Sequence, residues 1–204
     1  MNNLKFKKVK CPICNFRSFH RFIRKPRVSY FPTKIGIFKL ECYDVICKKC
    51  SFVYSNPEPT SNSLKRFYSN KFLNNSLYPD YNVKKQINFF VKNAKKKHEI
   101  LEIGSSNDFL VNLLKKKGFK AYGFDFLTGK EFKKKNFDFI LLNHTLEHIS
   151  EPKKFLNKIK SYLKEDGKLV IEVPDLKQYE KDDTILTAEH ITHFTEETLR
   201  KLLI

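Results

Sequence analysis

Leu101-Glu102-Ile103-Gly104-Ser105-Ser106-Asn107-Asp108 is the stretch that decides how this chain folds. It closes an apolar run that starts at His98 and opens a segment of helical apolar spacing that ends near Gly118. The spacing predicts a strand over His98–Ile103, a tight turn, and a helix over Phe109–Lys117. A short strand over Lys120–Phe124 follows and ends in Asp125. A glycine turn aimed at a helix N-terminus, with an acid about 20 residues on, is how a doubly wound sheet holds a nucleoside. Gly104 lets the backbone pass close to a ligand, and Asp125 can accept from both ribose hydroxyls.

Downstream, the pattern predicts a strand over Asn136–Leu142, a helix over Pro152–Leu163 and a strand over Lys168–Val173. Ser150 reads as the helix cap, with Glu151 in the dipole-favoured first turn and Pro152 where a missing N–H costs nothing. Gly167 allows the turn into the next strand. A last helix is expected over Glu196–Leu203, capped by Thr195. The strands are continuous apolar runs, as in a sheet covered on both faces. Upstream, helical spacing recurs over Leu64–Tyr68 and Val83–Val91, separated by the Tyr78-Pro79 step.

Cys11-Pro12-Ile13-Cys14 and Cys47-Lys48-Lys49-Cys50 bracket a 32-residue insert. Two pairs of equal spacing offer four thiolates that can close tetrahedrally around zinc, and a small module draws much of its folding energy from such an ion. Within the insert, Phe31, Ile35, Ile37, Phe38, Leu40 and Tyr43 read as short strands, and Cys42 as a buried small hydrophobe, with a fifth metal ligand as the alternative. Ser55-Asn56-Pro57-Glu58-Pro59 forms a turn-rich link. The expected organisation is a zinc-binding module over residues 1–60, a helical linker over 61–97 and a sheet domain over 98–204.

Composition narrows the partners. The 204 residues include 41% hydrophobic residues and 20 Phe, enough for a core, and five cysteines that suit a metal in a reducing compartment. No window approaches a membrane span, and the N-terminus lacks the apolar core of a signal peptide, so a cytoplasmic protein is expected. The net charge is +18. Residues 1–97 carry 22 Lys and Arg against 4 Asp and Glu, whereas residues 98–204 carry 18 of each. Such asymmetry points to an anionic partner, whether a phosphorylated small molecule, nucleic acid or an acidic protein surface. Solvated lysines from a biased composition are the plain alternative.

Together these pieces resemble a class I S-adenosylmethionine-dependent methyltransferase, in particular the bacterial branch with an N-terminal zinc-binding module that includes sugar C-methyltransferases. The resemblance rests on both cysteine pairs, on Ser51-Phe52-Val53-Tyr54 and Asn56-Pro57-Glu58-Pro59, and on Leu101-Glu102-Ile103-Gly104. It continues through Phe137-Asp138-Phe139-Ile140, Asn143-His144-Thr145-Leu146-Glu147-His148-Ile149, the run from Gly167 to Pro174, and His190-Ile191-Thr192-His193-Phe194-Thr195. It implies an α/β fold in which a shortened Rossmann-like methyltransferase sheet follows a small four-cysteine zinc-binding module. It further implies that Glu102, Gly104, Ser106, Asp108, Asp125 and Asn143 hold S-adenosyl-L-methionine, and that Cys11, Cys14, Cys47 and Cys50 hold a structural zinc. The implied activity is methyl transfer to a small acceptor, a sugar or nucleotide-linked sugar.

Three departures mark the chain. The usual Gly-x-Gly-x-Gly has Ser106 and Asp108 at its second and third glycines; a related subgroup has Gly-Ser-Asn-Asp-Gly. Only 11 residues separate Asp125 from Phe137, where the family fits a helix and its third strand, so one wall of the adenine pocket is expected to be missing. The chain stops at Ile204, short of the family's closing β-hairpin, which leaves a sheet edge for an oligomer partner to cover.

In-line transfer from a sulfonium needs an aligned acceptor and often a proton acceptor. His144, His148, His190 and His193 are the candidates, since imidazole accepts protons near neutral pH; Glu147 and His148 alternatively hold the loop together. The competing class is a catalytically inactive relative or zinc-ribbon protein whose basic half binds nucleic acid or a protein partner. Phe16, Phe19, Phe22, Tyr30 and Phe31, interleaved with Arg17, Arg21, Arg24, Lys25 and Arg27, can stack bases and neutralise phosphates. The competing reading of these aromatics is that they form the module's own core.

Overall fold

The computed structural model describes residues 4–33, 36–70, 80–125, 136–180 and 186–204. They belong to two compact units, one of residues 1–72, 146–156 and 173–204, the other of residues 73–145 and 157–172. Among the described residues no helix is long and apolar enough to cross a membrane.

The first unit begins with strands β1 (Phe6–Lys7), β2 (Phe19–Arg21), β3 (Arg27–Thr33), β4 (Gly36–Cys42), β5 (Asp44–Cys47), β6 (Val53–Ser55) and β7 (Glu58–Pro59), then helix α1 (Ser61–Asn70). β3 and β4 form an antiparallel hairpin, and β2, β5 and β6 form an antiparallel sheet. Cys47–Cys50 lie at the turn from β5 to β6, and Cys11–Cys14 form a turn ahead of β2. Cys42 is buried as expected, with its thiol donating to Ala188 O at 3.4 Å.

The second unit holds helix α2 (Asp80–Asn93), β8 (Glu99–Ile103), α3 (Phe109–Lys116), β9 (Lys120–Phe124) and β10 (Phe137–Asn143), and, after α4 (Pro152–Lys160), β11 (Leu163–Glu172). The order β11-β10-β8-β9 is parallel throughout. This is the Rossmann-like sheet expected from the sequence. Both faces are buried: Ile100, Ala121, Phe139 and Leu141 pack with Val83 and Phe90 of α2 and Leu110, Val111 and Leu114 of α3, while Leu101, Ile103, Ile140 and Leu142 are buried on the other face. That double burial is why the strands read as unbroken apolar runs.

One boundary differs from expectation. α4 ends at Lys160, and β11 begins at Leu163 instead of Lys168. The register to β10 shifts between Phe137 and Phe139, because Lys164–Gly167 bulge out of the ladder. A Cβ on Gly167 would lie 2.9 Å from Phe137 O, so glycine is needed for the close approach rather than for an isolated turn. The stretch 126–135, where the wall of the adenine pocket was at issue, lies outside the described residues.

The chain then re-enters the first unit. β12 (Thr192–His193) pairs antiparallel with β6, and α5 (Glu196–Leu203) follows. Thr195 caps α5 as predicted, in a reciprocal capping box with Thr198.

Candidate cofactor site and cysteine cluster

The candidate cofactor turn is built by backbone contacts between neighbouring strand ends. Gly104 N donates to Phe124 O at 2.7 Å, which holds the end of β8 beside the residue preceding Asp125. Gly104 has φ +83°, and a Cβ there would collide with the Thr145 side chain. Thr145 Oγ1 in turn donates to Ile103 O at 3.0 Å and Asn143 O at 3.1 Å, tying β8 to β10 beneath the turn. Ser106 and Asp108 take φ of 50° and 57°. The two positions where the usual pattern carries glycine thus keep the left-handed backbone that glycine favours, at a cost of roughly 1–2 kcal/mol each.

Glu102 is 2% exposed, and neither carboxylate oxygen has a hydrogen-bond partner among the described residues. Burial, with Asp108 adding to it and Asn143 opposing, pushes its carboxyl up to about 7. Asn143 Nδ2 and Gln86 Oε1 are likewise buried without partners, although Gln86 Nε2 donates to Asn143 Oδ1 at 2.6 Å and Glu172 Oε2 at 3.0 Å. Buried polar atoms normally find partners in protein, water or ligand, so this cluster offers hydrogen-bonding capacity to a polar group. These residues suit the ammonium and carboxylate of an amino-acid moiety. Beside them α2, β10 and β11 enclose a cleft of about 190 Å³, with an apolar floor at Phe89, Phe90, Leu141 and Val170 and a polar end at Lys85, Gln86 and Glu172. His144 is exposed at the end of β10, with φ 47° and its N–H donating to Glu172 O at 2.9 Å.

A family model described as "Methyltransferase domain" matches residues 77–203. The chain belongs to this methyltransferase family. Its second unit carries the family's S-adenosylmethionine-binding fold, a class I parallel sheet. Two solved structures are similar. The YcgJ protein from Bacillus subtilis matches 60% of this chain at 14% identity and a TM-score of 0.41; the chain spans 65% of that protein's length. A Thermotoga maritima protein described as a SAM-dependent methyltransferase, possible histamine N-methyltransferase, matches 69% of this chain and 76% of its own, at 20% identity and a TM-score of 0.41. No curated protein sequence matches the chain.

In the first unit the four paired cysteines converge: Cys11 Sγ lies 3.5 Å from Cys50 Sγ and Cys14 Sγ 3.6 Å from Cys47 Sγ, with all four within 4.8 Å of one another. Tetrahedral zinc with bonds of about 2.3 Å needs sulfurs roughly 3.8 Å apart. The two arms are near copies. Cys11 N donates to Phe16 O and Cys47 N to Phe52 O, both at 2.9 Å, and Asn15 and Ser51, each directly after its pair, take φ of 58° and 61°. The cluster resembles a zinc-binding module in both donor set and geometry.

The remaining candidates divide. His193 is 3% exposed, with Nε2 3.3 Å from Asp44 Oδ1, and burial lowers its pKa against the opposing pull of Asp44. Asp44 is also gripped by Arg27 Nε and Nη2 and by Ser55 Oγ at 3.2 Å; burial works against its charge, yet His193 and Arg27 hold its carboxyl down to about 2. This closed ion network makes His193 a tie within the first unit. His148 and His190, by contrast, come together, with ring centroids 4.9 Å apart. Gln86 and Thr145 escaped the sequence reading. The one signal for Gln86 is a polar residue on the apolar face of α2, and Thr145 is explained only by what Gly104 touches.

Proposed function

We propose that the protein transfers a methyl group from S-adenosylmethionine to a small hydroxylated acceptor, a sugar or nucleotide-linked sugar. The observation that carries this reading is the partnerless buried carboxylate of Glu102 beside the constrained Gly104 turn. In the reading, Glu102 and Asn143 hold the amino-acid end of the cofactor, the Gly104–Asp108 turn gives its backbone close access, and Asp125 accepts from the ribose hydroxyls. The cofactor, when bound, supplies an electrophilic methyl on sulfur. The cleft beside α2, on the order of one sugar ring and smaller than a drug-sized pocket, receives the acceptor, with Lys85, Gln86 and Glu172 orienting its hydroxyls. His144, exposed at the strand end, accepts the acceptor's proton. The four cysteines bind a structural zinc.

Calorimetric titration with S-adenosylmethionine and with its demethylated product tests the reading. Binding that weakens strongly in Asp125→Ala supports it, and no binding of either compound to folded protein overturns it.

A second reading has its own support. Phe16, Phe19 and Tyr30 are 40%, 39% and 66% exposed, so they are not core residues of the basic half. An inactive relative that binds nucleic acid through them would lose affinity steeply with salt, with a log–log slope of about −0.7 per phosphate contacted on a single strand. A slope equivalent to five or more phosphates favours that reading; a small phosphorylated acceptor gives a shallow one.

A further inference from the structure

Glu147, His148 and His190 place a carboxylate oxygen and two imidazole nitrogens within 4.8 Å of one another, in the first unit and apart from the cysteines. We propose that these three residues form a second metal site, for a divalent transition-metal ion of the zinc, cobalt or manganese class. The inference goes beyond the methyl-transfer reading and does not depend on it.

The cluster is assembled by long-range contacts, since His190 lies more than 40 positions after His148. Ile191 N donates to Glu147 O at 2.9 Å, and Thr192 Oγ1 donates to Leu146 O and Glu147 O, both at 3.2 Å. Those bonds lock the loop before β12 onto the short 3-10 turn Leu146–His148. His148 Nδ1 lies 2.9 Å from Glu189 O. An imidazole that donates one ring N–H to a carbonyl has its tautomer fixed and presents the other nitrogen as a ligand, which is the usual support of a metal-bound histidine. Glu147 is 1% exposed, and a carboxylate buried against two imidazoles gains most from a cation among them.

Two nitrogens and one carboxylate oxygen form a mixed donor set that suits zinc, iron, cobalt and manganese, in contrast to the all-sulfur cysteine cluster. Metal–ligand bonds of about 2.1 Å need donors roughly 3–3.5 Å apart, so binding draws the three side chains inward by about 1–2 Å. Three protein ligands leave at least one coordination position open, and that position takes water or another oxygen ligand.

The test uses the full chain with zinc already bound to its cysteines, titrated with Co²⁺ and followed by calorimetry and visible absorption. The expected result is one further equivalent, with weak d–d bands and no thiolate-to-cobalt charge transfer. Affinity should fall about 100-fold or more in His190→Gln and in His148→Gln. Both substituted positions are only half-buried, and retention of the cysteine-bound zinc reports that the unit remains folded. Glu147→Gln should give the same loss. The proposal is overturned if the zinc-loaded protein takes up no cobalt, if the spectrum shows thiolate ligation, or if uptake is unchanged in folded His148→Gln and His190→Gln.

Discussion

Asn15 and Ser51 occupy the same left-handed place in the two cysteine arms, and Ser106 and Asp108 occupy left-handed places in the cofactor turn. The arms and the turn nevertheless obey different constraints. A four-thiolate cluster of the zinc-binding type needs four particular atoms, so cysteine stands at all four converging positions, whereas the residue after each pair differs between the arms. In the turn the chemistry needs a backbone path, and side chains of other kinds can follow it where space allows. Gly104 is the position without that space, because Thr145 sits directly against it. A departure from a motif therefore means little at Ser106 and would mean a great deal at Gly104 or Cys14.

The largest expected effect tests the arms. Cys14→Ser should lose about one equivalent of bound zinc and, with it, the order of the first unit, since structural zinc contributes on the order of 10 kcal/mol to small modules. Elemental analysis together with circular dichroism measures both losses. Unchanged zinc content would break the comparison at its firmer end.

Next comes the turn's one sterically closed position. Gly104→Ala adds a left-handed alanine and a collision with Thr145, for a combined cost of about 2–4 kcal/mol. Denaturant unfolding should show that loss, and Thr145→Ala in the same chain should recover part of it by removing the hydroxyl and methyl groups that the added Cβ meets.

Glu102 yields a pH signature. Its carboxyl in the folded chain titrates near 7, above its ordinary value of 4.5, because burial disfavours the charge. The neutral form is the one the fold tolerates, so this contribution to stability is complete below pH 4.5 and is lost as pH rises through 7. Glu102→Gln should remove that slope and leave the protein about 3 kcal/mol more stable at pH 8 than the unsubstituted chain. Cofactor binding should show the opposite trend, strengthening from pH 6 to 8 as the carboxylate forms, and Glu102→Gln should weaken it. Unfolding curves and titrations at several pH values separate the two.

The smallest effect tests tolerance directly. Ser106→Gly and Asp108→Gly should each stabilise by about 1 kcal/mol through relief of left-handed strain. Asp108→Gly should also lower the Glu102 titration, since it removes a neighbouring negative charge. A loss of stability in either variant would show that its side chain, and not only its backbone, holds the turn.

Legibility followed the range of the forces involved. The bounds of β9 and α5 could be read directly, because an apolar run ended by Asp125 and a Thr195 cap are local signals. The end of α4 could not, since Leu163–Gly167 carry the composition of a turn and join β11 only through a bulge against Phe137. The convergence of Cys11, Cys14, Cys47 and Cys50 was legible from spacing alone. The meeting of His148 with His190 was not, for both motifs were visible but their proximity depends on the pairing of β12 with β6. Likewise the burial of His193 follows from Arg27 and Asp44, residues far away in sequence with nothing local to mark them as its partners.

That same pairing bears on how the protein is made. Tyr54 faces Thr192 and Val53 faces His193, so the sheet beside the cysteines awaits a strand encoded about 140 residues later. At roughly 5–20 residues per second on the ribosome, β6 spends about 7–30 s with that edge open while the second unit is being synthesised. A zinc ion captured early by the two arms, which close a loop of fewer than 40 residues, would hold the nascent segment in register through that interval.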